Sequence, residues 1–259
     1  MLHRRALLGF SACGAAALAF MALAGCAERS NQADDGRIRI GIVAKSLGNN
    51  FFDAVHKGAD EAAAALNAEI IFTGPTTPTA EGQIETLNAL IAQRVDAIAI
   101  SANDPDAVVP TLQRAKQRGI KVISYDSAVA PPGRQVHLAP SSDVLIGETV
   151  AQLAAELAPE GKGKIAVVSA TPTSTNQNSW LAQMQTALPR YPGLELVGVV
   201  YGDDLADKSY RETVALVKQH PDLAVIVSLS SVGIVAAAKA IEDQGLAGKV
   251  DVTGLGLPS

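Results

Sequence analysis

From Arg37 onward, short apolar runs alternate with amphipathic stretches along the chain. The apolar runs predict strands at Ile38–Ala44, Glu69–Phe72, Ala97–Ser101 and Lys121–Tyr125. After a short extended piece at Gln135–Leu138, they resume at Ile165–Ser169, Leu194–Tyr201, Val225–Ser228 and Val250–Gly254. Between them apolar residues recur at helical spacing, as in Ile84, Leu87, Leu90 and Ile91. This places helices at Phe51–Leu66, Ala80–Ala92, Asp106–Gln117, Val144–Leu157, Ser179–Leu188, Tyr210–Gln219 and Ile234–Gln244. Regular β-α alternation means crossover connections and parallel sheets covered on both faces. The predicted fold class is therefore α/β, in two doubly wound parallel-sheet lobes joined by a hinge.

The first 36 residues break this pattern. His3-Arg4-Arg5, an apolar small-residue run from Ala6 to Ala22, and Leu23-Ala24-Gly25-Cys26 together read as a lipoprotein signal peptide over residues 1–25. Cys26 is the predicted lipidation site, and residues 26–36 the tether. Arg4-Arg5 also has a loose likeness to a twin-arginine signal. Residues 37–138 are assigned to an N-terminal lobe and 139–255 to a C-terminal lobe, with the crossover near Leu138-Ala139-Pro140-Ser141-Ser142. Residues 256–259 are expected to begin a second hinge crossing. Because the chain stops directly after a strand, the expectation is that its C-terminal part is missing and that the full-length protein is a monomer.

Composition narrows the function. Of 259 residues, 48% are hydrophobic and only 4% aromatic, as expected of small-residue helices stacked on parallel sheets. The net charge of −5 becomes more acidic once Arg4 and Arg5 leave with the signal, which excludes the basic face a nucleic-acid partner requires. Cys13 is removed with the signal and Cys26 is acylated, so neither a disulfide nor a cysteine-based site is expected. His56, His137 and His220 lack ligand spacing, and neither a nucleophile elbow, a phosphate loop nor a dinucleotide fingerprint occurs. No enzyme activity, metal or cofactor is expected.

The candidate chemistry collects at strand ends, where ligands bind in open α/β sheets. Lys45 and Asn49 follow the first strand, Ser101, Asn103 and Asp104 the third, and Asp126 and Ser127 the fourth. In the second half Thr175-Asn176-Gln177-Asn178 precedes a helix, and Ser230-Ser231 follows a strand. Amides, hydroxyls, a carboxylate and an ammonium group can match every hydroxyl of a neutral polyol. The adjacent Phe51 and Phe52 suit its apolar face, or else belong to the core. Trp180 is read as a core residue. Asp203, Asp204 and Asp207 are read as a solvated helix start, not an acid/base pair.

Lys45-Ser-Leu-Gly-Asn-Asn-Phe-Phe, Ile100-Ser-Ala-Asn-Asp-Pro-Asp-Ala, Ser124-Tyr-Asp-Ser and Thr175-Asn-Gln-Asn-Ser-Trp together resemble the type I periplasmic sugar-binding proteins of ABC importers, from about Arg37 to Ser259. Thr73-Gly-Pro-Thr, Gly202-Asp-Asp-Leu-Ala-Asp-Lys-Ser-Tyr and Thr253-Gly-Leu-Gly-Leu-Pro-Ser are similar to the rhamnose-binding branch, with autoinducer-2-binding proteins next. The resemblance implies ligand contacts at Lys45, Asn49, Phe51, Phe52, Ser101, Asp126, Asn176, Gln177 and Ser230. It implies a small-molecule sugar as ligand, ABC permease subunits and the membrane as partners, and an extracytoplasmic, lipid-anchored location. Ribose-type relatives carry Arg where this chain has Ser127, and Asp where it has Gly256. Losing both suits a less hydroxylated ligand such as a 6-deoxyhexose. A sugar-responsive repressor shares the two-lobed module but needs an N-terminal helix-turn-helix where this chain has its lipobox; a sensor for autoinducer-2 or a sugar shares every site residue.

Overall fold

The computed structural model describes residues 36–257; the signal peptide, Cys26 and nearly all of the tether lie outside the described residues. The compact unit beginning at Ile38 contains two all-parallel sheets. The first is built from β1 (Ile38–Val43), β2 (Ala68–Thr73), β3 (Ala97–Ile100), β4 (Lys121–Tyr125) and β5 (Val136–Leu138), in the order β2-β1-β3-β4-β5. The second orders β6 (Gly163–Ser169), β7 (Leu194–Tyr201), β8 (Leu223–Ser228) and β9 (Asp251–Gly254) as β7-β6-β8-β9. In each sheet the first strand has its successor on one side and the next strand on the other. This creates a switch point at the carboxyl edge, β1/β3 in one sheet and β6/β8 in the other.

Helices α1 (Asn50–Leu66), α2 (Ala80–Ala92) and α3 (Val109–Gln117) serve the first sheet. Side-chain alternation along β1 explains how it is covered twice: Val43 packs with Leu87, Leu90 and Leu112 on the α2/α3 face, while Ile42 and Ala44 pack with Phe52 and Tyr125 on the α1 face. Around the second sheet, α4 (Asp143–Leu157) and α5 (Thr175–Ala187) close one face over Ile165, Val167 and Val225. On the other, α6 (Ala206–Gln219) and α7 (Ser231–Asp243) close over Ala166, Val168 and Ile226. The piece expected to be merely extended at Gln135–Leu138 is the fifth parallel strand, in register Ile123–Val136, Ser124–His137 and Tyr125–Leu138 with β4.

Four helix starts differ from the periodicity by more than one residue; α6 and α7 begin at Ala206 and Ser231, ahead of the expected Tyr210 and Ile234. α3 begins at Val109, not Asp106, because Asp104 Oδ1 accepts from the backbone N–H of Asp106 and Ala107 (both 2.9 Å) and holds that stretch as a turn. α5 begins at Thr175, four residues before the apolar stripe starts, so Asn176 and Gln177 stand in its first turn and not before it.

Candidate functional site

A cavity of about 230 Å³ opens where the carboxyl edges of the two sheets face each other. It falls below the ~300–1,000 Å³ typical of drug-sized pockets and so matches a smaller ligand. Lys45, Asn49, Phe51, Phe52 and Asp126 line it from the first lobe, and Asn176, Gln177, Trp180, Asp204, Ser230 and Ser231 from the second. Pro140, Ile146, Leu229, Leu255, Gly256 and Leu257 complete the wall.

Lys45 is carried out of β1 into the space between the sheets and is only 2% exposed. Its Nζ donates to Asn176 Oδ1 (3.0 Å) and Ser174 Oγ (3.2 Å), with Asp126 Oδ2 at 3.9 Å. A buried ammonium group is tolerable only when so paired. Asp126 follows β4 in the left-handed conformation (φ 53°), which Asp adopts more readily than most residues. Its Oδ2 accepts from Ser101 Oγ (2.7 Å) and its Oδ1 from Asn176 Nδ2 (2.8 Å). Beside it, Tyr125 is buried and donates to Val43 O (3.3 Å); burial and the Asp126 charge push its phenol far above the ordinary range, so it stays neutral.

Capping fixes other members. Asn49 Oδ1 accepts from Phe51 N–H (3.0 Å) and starts α1 at the cavity rim, so Phe51 and Phe52 follow in its first turn. The rings meet edge to face with centroids 5.1 Å apart, and Phe52 makes a second edge contact with Tyr125. The two readings of these rings coincide: Phe52 belongs to the core cluster and both line the cavity. In the second lobe Gln177 Oε1 accepts from Ser169 Oγ (2.7 Å) and Ala170 N–H (2.6 Å), tying α5 to the end of β6. Ser230 caps α7 through Gly233 N–H (2.9 Å).

Several residues stand elsewhere than expected. Ser101 is fully buried and does not line the cavity; it holds Asp126 from behind. Asn103 likewise supports the wall, donating to Lys45 O (2.8 Å), and Asp104 caps its own turn. The expectation of a solvated Asp203-Asp204 pair is corrected for Asp204, which is 8% exposed and faces the cavity. Trp180, read as core, is buried but also lines the cavity, its Nε1 donating to Asp143 Oδ1 (3.0 Å). Ile146, Leu255 and Leu257 went unnoticed, since nothing in a local apolar pattern separates a cavity wall from a core.

Comparison with known proteins gives the geometry a context. Residues 40–259 match the family described as periplasmic binding protein domain. An ABC transporter solute-binding protein from Clostridium phytofermentas, solved with bound L-rhamnose, is 39% identical with a TM-score of 0.84, covering 86% of this chain and 70% of that one. A D-ribose/D-allose-binding protein of Pseudomonas aeruginosa is 27% identical over 83% of this chain and 70% of its own length. LsrB from Clostridium saccharobutylicum, solved in complex with AI-2, has the same fold with a TM-score of 0.80 at 23% identity, over 85% of this chain and 71% of that one. The chain thus spans about 70% of the length of these three relatives.

Proposed function

The chain belongs to the periplasmic binding protein family, among the solute-binding proteins of ABC importers, and we propose that it is an extracytoplasmic receptor that encloses a monosaccharide between its two lobes and delivers it to a permease. The observation that carries this reading is the join at Lys45, Asp126 and Asn176, where groups from opposite lobes meet at a cavity wall with polar and apolar sectors. A sugar ring presents hydroxyls at its edge and C–H bonds on its faces. Lys45, Asp126, Asn176, Gln177 and Ser230 supply donors and acceptors for the edge, while Phe51, Phe52, Trp180, Leu229 and Leu255 cover the faces. Ser101 positions Asp126 without touching the ligand.

L-Rhamnose is the favoured sugar. The relative solved with it is 39% identical, and a 6-deoxyhexose carries a methyl group that suits the apolar sector. Gly256 and Ser127, in place of the carboxylate and the guanidinium of ribose-type relatives, take away hydroxyl-binding groups. Calorimetric titration with L-rhamnose, L-fucose, D-ribose and autoinducer-2 tests this: L-rhamnose should bind tightest. Tightest binding of autoinducer-2 would make the protein a receptor for that signal on the same fold, and heat from none of the four would overturn the sugar reading.

The lipobox supports a receptor held on a membrane surface by acyl chains on Cys26. Among the described residues no helix is long and apolar enough to cross a membrane. Cys26→Ser should therefore move the protein from the membrane to the soluble fraction, and a variant that stays with the membrane would sink the anchor assignment.

A further inference from the structure

Asp204 lies outside the set of residues that the family likeness marks, and three observations meet on it. The first is backbone geometry: Asp203 and Asp204, after β7, both take the left-handed conformation, at φ 53° and 51°. Such residues persist where the surroundings fix them. The second is direction. Asp203 pairs with Lys208 and is partly exposed, whereas Asp204 turns inward and forms part of the cavity wall. The third is an open valence: Asp204 Oδ1 is fully buried with no hydrogen-bond partner, although buried acceptors are almost always matched. A carboxylate that merely shapes a turn uses its oxygens on nearby backbone N–H groups, as Asp104 does with Asp106 and Ala107. Oδ1 of Asp204 does not.

Resting on the sugar-receptor reading, we propose that Asp204 is a ligand-binding and specificity-determining residue of the second lobe, its open oxygen pairing with one hydroxyl of the bound sugar. Lys45 and Asp126 both face the same enclosed space and act on its charge, as does Asp203 from the adjoining position, and Ser230 stands in the same cavity wall. Burial raises its carboxyl above the ordinary range, opposed by Lys45 and Ser230. A sugar hydroxyl both donates and accepts, so it matches this group in either protonation state. An analogue without that hydroxyl leaves the oxygen unmatched, and rejection of such analogues is what a built polar site does best.

The test is calorimetric titration of wild type, Asp126→Asn and Asp204→Asn with L-rhamnose and its single-deoxy analogues. Asn keeps the size of the side chain and tolerates the left-handed backbone; Asp204→Gly, which also suits that backbone, stands in should the first variant misfold. The expected result is a loss of about 10- to 100-fold in affinity for L-rhamnose in Asp204→Asn. For one deoxy analogue the wild type and the variant should bind equally, because the partner hydroxyl is gone. If wild type and Asp126→Asn differ while Asp204→Asn binds within twofold of wild type, this assignment falls and the receptor reading stands. Equal loss for every analogue would make Asp204 a positioning residue and overturn the specificity claim. Absence of wild-type binding to L-rhamnose, L-fucose, D-ribose and autoinducer-2 alike overturns the receptor reading, and this assignment with it; binding of another of the four moves the same test to that ligand's deoxy analogues.

Discussion

Asp126 and Asp204 follow strands in opposite lobes, and both hold left-handed backbone while lining the same cavity. Their stability consequences differ. Asp126 is matched on both oxygens by Ser101 and Asn176. Burial raises the Asp204 carboxyl above its usual 3.8 before a ligand arrives. A raised carboxyl favours the fold while protonated, so that contribution is complete below about pH 4 and is lost as pH rises through the higher folded value. The unliganded Asp204→Asn variant should therefore melt above wild type at pH 7, with the gap closing as pH falls through the raised folded value and gone below about pH 4. A gap that is absent at pH 7, or widens in acid, would show that burial does not penalise this carboxyl. Asp126 could be picked from sequence because it is the acid at a first-lobe strand end that the family resemblance also marks. Asp204 could not, since two adjacent aspartates before a helix have the pattern of a solvated start. What marks the second is its place in a wall shared with Lys45 and Asp126, residues distant from it in the chain.

At the scale of elements, order and type followed from periodicity, whereas helix starts followed from side-chain bonds that periodicity does not register. The polar Thr175-Asn176-Gln177-Asn178 turn carries no apolar stripe, yet Gln177 is what fastens α5 to β6. Gln83 plays the matching part in the first lobe. Fully buried on α2, it donates to Ala44 O (3.0 Å) and Ser101 O (2.7 Å) and accepts from Asn103 N–H (2.8 Å), joining the ends of β1 and β3 beneath the cavity. Gln83→Met keeps much of the volume and strands three backbone groups, at a cost of about 2–4 kcal/mol. For a domain of this size that lowers Tm by roughly 5–15 °C. Thermal melting checks it, and an unchanged Tm would mean that water replaces the amide without loss. Gly147 was equally silent in the sequence: a Cβ there would stand 2.4 Å from Gln183 Cβ, so α4 and α5 depend on its absence for their close approach.

At the scale of the whole molecule, the first turn of α5 is a bolt. Lys45 donates to Ser174 and Asn176, Asn176 to Asp126, Thr173 to Asn103 O (2.6 Å) and Thr175 to Ala128 O (3.1 Å), every bond running from one lobe to the other. The two threonines do not line the cavity, so they separate closure from ligand contact. Thr173→Val with Thr175→Val should expand the unliganded protein in small-angle X-ray scattering. Affinity should fall severalfold, because the competent closed state is less populated. Unchanged dimensions together with unchanged affinity would show that these bonds do not hold the lobes. The two-lobed fold was legible because each lobe repeats a local pattern; this bolt was not, because its partners are distant in the chain. Trp180 sits one turn behind it, on the same helix and in the cavity wall, and is the only tryptophan in the sequence. The protein thus carries its own optical probe. Excited at the red edge of protein absorption, its emission comes from a single indole whose neighbours change when a guest displaces solvent beside it, and the wavelength of that glow reads occupancy without any label.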